Sequence, residues 1–479
     1  MITERDKVLA PANLLRTLAQ ESNRVEAVRC AESLTRESIE TTGKGLQLAG
    51  ADLAGLNLSG FDLRRADLNR AQLYGANLDE TNLEGASLVC TGTERASFRN
   101  TNMRNGYLHA LAAQVCDFTD ADLRNVVDAT GSLFHGCNMK GARLDGAVLS
   151  GAVFYQCNLK GASFQSANLQ GAALNECILK DATLRHSLCA ELTITKSYAD
   201  GLDLSQATGE NVSLQQLTSF EDVCLEGAHL PGLSLSRVRA DRLRGAGLFA
   251  PDARLLQCSF HQANLTHADL SRSSFRAVTL TASDLSDCRL SGASIIHVDA
   301  PGIQLNRAHG ENMQLVNCSF KNAIMEEFEG RCVVIRDTDL RNANLRSAYL
   351  YRAMITADPP QAMSLQFVNL NGANLVQAYI ACDLQDSSLI GANCSYARFN
   401  QSLLDRADLS GANLYQITAV KVGFRETILR GVKGPFFTDR CAGLPSALRE
   451  SNPGNIGEAL AGLVEDQNRF YCEQGQRST

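Results

Sequence analysis

The chain has 479 residues, no Trp, 9 Pro, 6% aromatics and a net charge of −7, from 45 Lys+Arg against 52 Asp+Glu. No apolar run approaches the ~18 residues that span a bilayer, so no membrane span is expected. The acidic balance also excludes a strongly basic nucleic-acid binder. The 16 Cys, in a chain whose opening Met1–Arg5 lacks a signal-peptide pattern, read as reduced thiols and imply a cytoplasmic location.

Residues 11–40 read as helix. Leu14, Leu15, Leu18, Val25, Val28, Leu34 and Ile39 recur at helical spacing among dense charges. Residues 1–45 are therefore expected to form a helical N-terminal cap. Gly43-Lys44-Gly45 lacks the remainder of a phosphate-binding loop.

From Leu48 an apolar residue recurs every five positions: Leu53, Leu58, Leu63, Leu68, Leu73, Leu78, Leu83, Leu88. Two residues before each stands a mostly small residue such as Ala51, Ala66 or Ala76, and between them mostly Asp, Asn or Gln. A period of five fits neither helix nor simple strand. The small residue and the Leu, two apart, point to one side as in a strand. The other two residues must turn the chain, and Gly50, Gly55, Gly75 and Gly85 stand there. A strand and a turn, repeated, make a β-solenoid whose only open edges are at its ends. The register holds in four blocks, with centres running to Leu133, from Met139 to position 219, from Leu225 to Ile380, and from Leu384 to Leu429. Single-residue insertions or deletions separate the blocks and read as bulges.

The unit, small-(Asp/Asn)-Leu-x-x, resembles the consensus of the pentapeptide-repeat family over roughly four-fifths of the chain. The resemblance implies an all-β fold, a right-handed quadrilateral β-helix with four units per coil. That gives about 19 coils over 46–434, roughly 90 Å at ~4.8 Å per layer. Short α-helical caps are expected at both ends. Four units per coil also orders the cysteines. Of Cys116, Cys137, Cys157, Cys177, Cys258, Cys288, Cys318 and Cys382 at small inward positions, all but Cys288 and Cys382 share one face. Phe98, Phe118, Phe260, Phe320 and Phe399 share it too.

This column reads as interior packing with sulfur–aromatic contact, since paired Cys at zinc-finger spacing are missing. The eight His fall at outward or turn positions with no nucleophile or carboxylate at a fixed offset. The Asp/Asn column suits turn hydrogen bonds. No catalytic residue, cofactor site or metal site is expected, and the protein reads as no enzyme.

Some units exchange their two inward residues: Leu243 with Gly245, Leu248 with Ala250, Phe328 with Gly330, Val298 with Ala300. Total volume is kept, as close packing requires. The exchanges crowd between Ala199 and Ala250, within an irregular zone, 196–254, that reads as tolerated irregularity, softer joint or partner surface. Asp128 falls at a centre, where an unpaired carboxylate is costly, so 126–130 should depart from the coil.

Arg341, Arg346, Tyr349, Tyr351 and Arg352 are outward and of hot-spot type, and Asp358-Pro359-Pro360 should interrupt a coil beside them. These six positions, Asp358 included, form the candidate partner surface. After Asn452-Pro453-Gly454, Ile456, Leu460, Leu463, Val464 and Phe470 form one apolar stripe. Residues 435–479 are accordingly expected to cap the solenoid. The resemblance adds a possible homodimer through this segment, because it mediates dimerisation in several gyrase-directed members.

Three functions fit. The first is a non-enzymatic scaffold or adaptor for protein partners. The second, from the resemblance, is a DNA-mimicking ligand of DNA gyrase that confers resistance to gyrase poisons. The third is a secreted effector or secretion-system accessory. Residues 46–434 carry 34 basic and 39 acidic residues. Duplex DNA carries one negative charge per ~1.7 Å, on the order of 50 over this length, which disfavours generic mimicry. No direct nucleic-acid binding is expected.

Overall fold

The computed structural model describes residues 11–21, 23–357 and 364–443. Two helices open the chain, α1 (Pro11–Gln20) and α2 (Arg24–Thr42). They are separated because Asn23 caps α2, its side chain accepting a hydrogen bond from the Glu26 N–H. Gly43 ends α2 in the left-handed conformation (φ 71°) that glycine adopts without penalty, and its N–H donates to the Ile39 carbonyl.

The helices cover the first coil. α1 buries Leu14, Leu15 and Leu18 as its spacing predicts. α2 does not bury its larger apolar residues: Val25 is 63% exposed, and the buried positions are Ala27, Ala31 and Thr35. A face of small residues lets the helix backbone approach the coil closely enough for polar anchors. Thr35 Oγ1 donates to the Asp62 carbonyl, and Arg24 donates to the Ser59 carbonyl while lying over the Phe61 ring at 4.6 Å.

The body is a parallel β-solenoid, and the boundary between two compact units falls at Arg244–Gly245, inside the irregular zone. In the first unit the three-residue strands β1 (Ala112–Gln114), β2 (Leu133–His135), β3 (Val153–Tyr155), β4 (Ala173–Asn175), β5 (Thr193–Thr195), β6 (Ser213–Gln215) and β7 (Ser234–Ser236) succeed one another in parallel. The coils before β1 continue the same face as single bridges, Asp52 to Gln72 to Gly92 to Ala112, so strands alone understate the coil number. The second unit carries β8 (Arg254–Leu256), β9 (Ser274–Arg276), β10 (Ser294–Ile296), β11 (Gln314–Val316), β12 (Val334–Arg336), β13 (Met354–Thr356), β14 (Tyr379–Ala381), β15 (Arg398–Asn400), β16 (Thr418–Val420) and β17 (Phe437–Asp439). Its neighbours too pair in parallel.

Outside the strand-bearing units, the units of five turn in one way. The N–H of Ala51 closes on the Leu48 carbonyl (3.0 Å), with Gly50 left-handed between them (φ 67°). The preceding Asp or Asn holds the corner: Asp52 Oδ1 accepts from the Ala54 N–H and Asn77 Oδ1 from Asp79. The centres, such as Leu53, Leu58 and Leu63, are fully buried.

Three register details differ from the sequence reading. The first insertion lies at exposed Val127, and Asp128 moves to the outward position, its carboxylate accepting from the Thr130 N–H (2.8 Å). Ala129 and Phe134 thereby become centres, and Leu133 turns outward, 45% exposed. Burying Phe134 in place of Asp128 avoids the cost of an unpaired carboxylate. The second insertion lies at Thr218, so that Phe220 and not position 219 is the buried centre. Finally, Met354 pairs with Tyr379 and Asn344 with Asn369, each 25 residues on, so the coil between them is five residues longer than four units. Every later unit shifts by one face. Cys382 therefore joins the column of Cys318, and Phe399 leaves it for strand β15.

Candidate functional site

With centres and small positions buried, chemistry is confined to outward and corner side chains. The cysteine column is an exception that the fold explains. In each unit these residues directly follow the strands, and their thiols donate to the carbonyl of the strand's middle residue one coil back. Cys137 donates to Ala113 O, Cys157 to Phe134 O and Cys318 to Ile295 O, at 3.2–3.4 Å. Ser197, Thr338 and Ser402 make the same bond where Cys is replaced. Leu217, Val238, Val278, Val298 and Val422 fill the same buried position after other strands, so the column takes medium-sized side chains, and Cys, Ser and Thr add the bond to the carbonyl where they stand there. Burial pushes the Cys288 and Cys394 thiols up to about 12, so neither is a ready nucleophile. Among the described residues no cluster of His, Cys, Asp or Glu is arranged to hold a metal ion.

Histidines lie outward, as their register predicts, but two have carboxylate partners. His109 faces Asp128 at 3.5 Å, and His309 Nδ1 lies 2.6 Å from Glu329. These offsets of about one coil are invisible to a search for local motifs. One coil also spaces the corner pairs Arg242–Asp222, Arg272–Asp252, Arg307–Asp287 and Arg406–Asp386, each with two hydrogen bonds. A depression of about 330 Å³ lies over Gly92, where a missing side chain leaves a gap beside Tyr74, Glu94 and His135.

The candidate partner residues divide. Arg341 is held by both oxygens of Asp339 (2.6–3.1 Å), on a different side of the coil from the tyrosines. Arg346 is exposed at the next corner. Tyr349 and Tyr351 stack at 6.2 Å, Arg352 lies over the Tyr351 ring at 5.1 Å, and Gln377 Oε1 accepts from both Arg352 Nε and Tyr351 OH. Two coils on, Tyr396 and Tyr415 meet edge to face at 5.6 Å around the same corner, an extension that the sequence pattern does not reveal. Asp358 lies outside the described residues, as do Ile456, Leu460, Leu463, Val464 and Phe470; of the expected cap 435–479 only 435–443 is described, and there β17 continues the parallel ladder.

With this geometry the chain is a pentapeptide-repeat protein. The family model "Pentapeptide repeats" matches it in eight copies, over residues 47–85, 116–154, 142–181, 258–295, 273–309 and 382–418. A search of curated proteins found no match. Among solved structures it is similar to HetL, a pentapeptide repeat protein involved in heterocyst differentiation regulation from the cyanobacterium Nostoc sp. strain PCC 7120. The identity is 22%, over 47% of this chain and 87% of that one, with a TM-score of 0.16. It is similar to QnrB1, a plasmid-mediated fluoroquinolone resistance protein, at 20% identity over 45% and 89%, TM-score 0.16. Rfr23 from the cyanobacterium Cyanothece 51142 shares 21% identity over 29% and 93%, TM-score 0.15. At these scores the similarities say nothing of function. No helix among the described residues is long and apolar enough to cross a membrane.

Proposed function

We propose that this protein is a non-enzymatic scaffold or adaptor whose outward ladders bind protein partners. The observation that carries the reading is the filled interior. From Leu53 to Leu429 the inward side chains are almost all Leu, Ala, Phe, Cys, Ile or Val at 0–7% exposure. Among the described residues such a core leaves no enclosed chamber for a small substrate of the kind enzymes use. The outward side chains instead repeat on neighbouring coils, the extended surface that solenoids offer to macromolecules.

The gyrase-directed reading is weaker on one further ground. Acidic corners such as Asp222, Asp252, Asp287 and Asp386 are each clasped by an Arg, which cancels the field a DNA mimic needs. Cross-linking the full-length protein in its native cells, with mass spectrometry of the adducts, tests the scaffold reading. Reproducible protein adducts at outward positions support it, and adducts no richer than those of a scrambled-surface control overturn it. Altered gyrase supercoiling at micromolar protein would favour DNA mimicry instead.

A further inference from the structure

One side of four consecutive coils in the second unit differs from the rest of the molecule. The chain crosses it at 346–356, 371–381, 390–400 and 410–420, stacked through β13, β14, β15 and β16 and the Tyr349–Asn374–Asn393–Asn413 ladder. These segments contain no Asp or Glu, in a chain that has 52. They contain Arg346, Arg352 and Arg398 and five of the chain's ten Tyr. The described acidic residues of the same coils, Asp383, Asp386, Asp405 and Asp408, stand in other sectors, and Asp358, two residues beyond the first segment, lies outside the described residues.

The polar groups left free here are mostly donors. Asn374, Asn393 and Asn413 each spend the side-chain oxygen on a backbone N–H two residues on (3.1–3.2 Å), which leaves the amide N–H₂ to face outward. Arg352 meets only Gln377 and the Tyr351 ring among the described residues. Tyr349, Tyr396 and Tyr415 are 40–47% exposed, with rigid rings that add contact area at small entropic cost.

We infer that this surface binds an acidic, carboxylate-bearing segment of a protein partner, laid across the stacked coils. The inference rests on the scaffold reading and names the partner's chemistry. Cations and amide donors on segments without a carboxylate of their own match a partner's carboxylates, and Tyr with Arg are the residues of interface hot spots. A nucleic acid would also meet cations and stacking rings, but the net charge of −7 opposes the approach of a phosphate chain.

The test uses the full-length protein and fluorescence anisotropy. The probes are a labelled dodecapeptide alternating Glu and Leu, its Lys counterpart, and a labelled oligo-dT strand. The Glu peptide should bind saturably and more tightly than either other probe. The double variant Arg352→Glu, Arg398→Glu should weaken it by about tenfold or more, and Tyr396→Ala should weaken it measurably, with unchanged thermal unfolding. Arg185→Glu, in the first unit, should leave binding unaltered. Absence of saturable Glu-peptide binding, equal weakening by Arg185→Glu, or tighter oligo-dT binding overturns the inference. The cross-linked partners separate the two readings. Partners retained by the double variant reject this surface but keep the scaffold, whereas no partner for the wild type rejects the scaffold itself.

Discussion

Phe328 fills the space that a side chain at Gly330 would need: a Cβ built on Gly330 stands 2.6 Å from Phe328 Cε1 and 3.0 Å from Leu350 Cδ2. The ring also occupies the place of a side chain at Gly310, one coil back. An inward residue two positions early has replaced the usual Leu, and interior volume is conserved across neighbouring coils.

This exchange gives a direct stability prediction. Gly330→Ala should cost about 1–3 kcal/mol by overpacking. Phe328→Ala should cost about 3–5 kcal/mol, and Phe328→Ala with Gly330→Leu should recover much of that. Urea unfolding of the full chain measures all three. A neutral Gly330→Ala, with no recovery in the double variant, would mean that the ring lies elsewhere.

The exchange is legible in the sequence because volume is counted locally, within one unit. Features that depend on neighbouring coils are not. The corner pair Arg307–Asp287 and the contact of Tyr396 with Tyr415 join residues about one coil apart, which five-residue periodicity does not reveal. The place of an insertion is hidden for a different reason. Composition shows that a residue has been added, but only the competition between Asp128 and Phe134 for the interior decides where. The segment at Pro359–Pro360 reads as interrupting a coil, yet the five-residue count includes it as a unit. That single miscount puts Cys382 and Phe399 on the wrong faces. α2 misleads because its buried stripe is Ala and Thr, small enough for close approach, whereas its Val residues lie outward or at the rim.

Packing within the first unit makes a second prediction. Phe118 is fully buried and stacks on Phe98 with ring centroids 4.7 Å apart. Phe118→Ala should cost about 3–5 kcal/mol. Arg124, outward and paired with Asp122, should shift thermal unfolding only slightly when replaced by Ala. Equal shifts would contradict the register.

The corner pairs predict a pH dependence. Hydrogen bonds from Arg307, with its charge, hold the Asp287 carboxyl below the ordinary carboxylate range. Because the folded value is depressed, the stabilisation is present above the unfolded Asp pKa and is lost as pH falls through the folded one. Carboxyl titration by NMR should show a depressed midpoint for Asp287 that returns toward the ordinary value in Arg307→Gln. An unchanged midpoint in that variant would show that the pair does not form in solution.

Thiol reactivity should follow position in the coil. Cys90 is exposed at a left-handed corner, whereas Cys288 and Cys394 are buried with thiols pushed up to about 12. Maleimide labelling with peptide mapping should modify Cys90 in the native protein, and Cys288 and Cys394 only after denaturant is added. Labelling of all three at similar native rates would show that the coils open readily.

The central claim is that every fifth side chain is sealed inside a solenoid while its neighbours face outward, and methionine oxidation tests it in both units at once. Met103, Met139, Met313 and Met325 are 0–1% exposed, whereas Met354 is 47% exposed on β13. Under dilute peroxide followed by peptide mass spectrometry, Met354 should oxidise readily while the other four stay protected until the protein is unfolded. Comparable native rates at Met354 and at the four interior methionines would contradict the solenoid register and the binding surface built upon it.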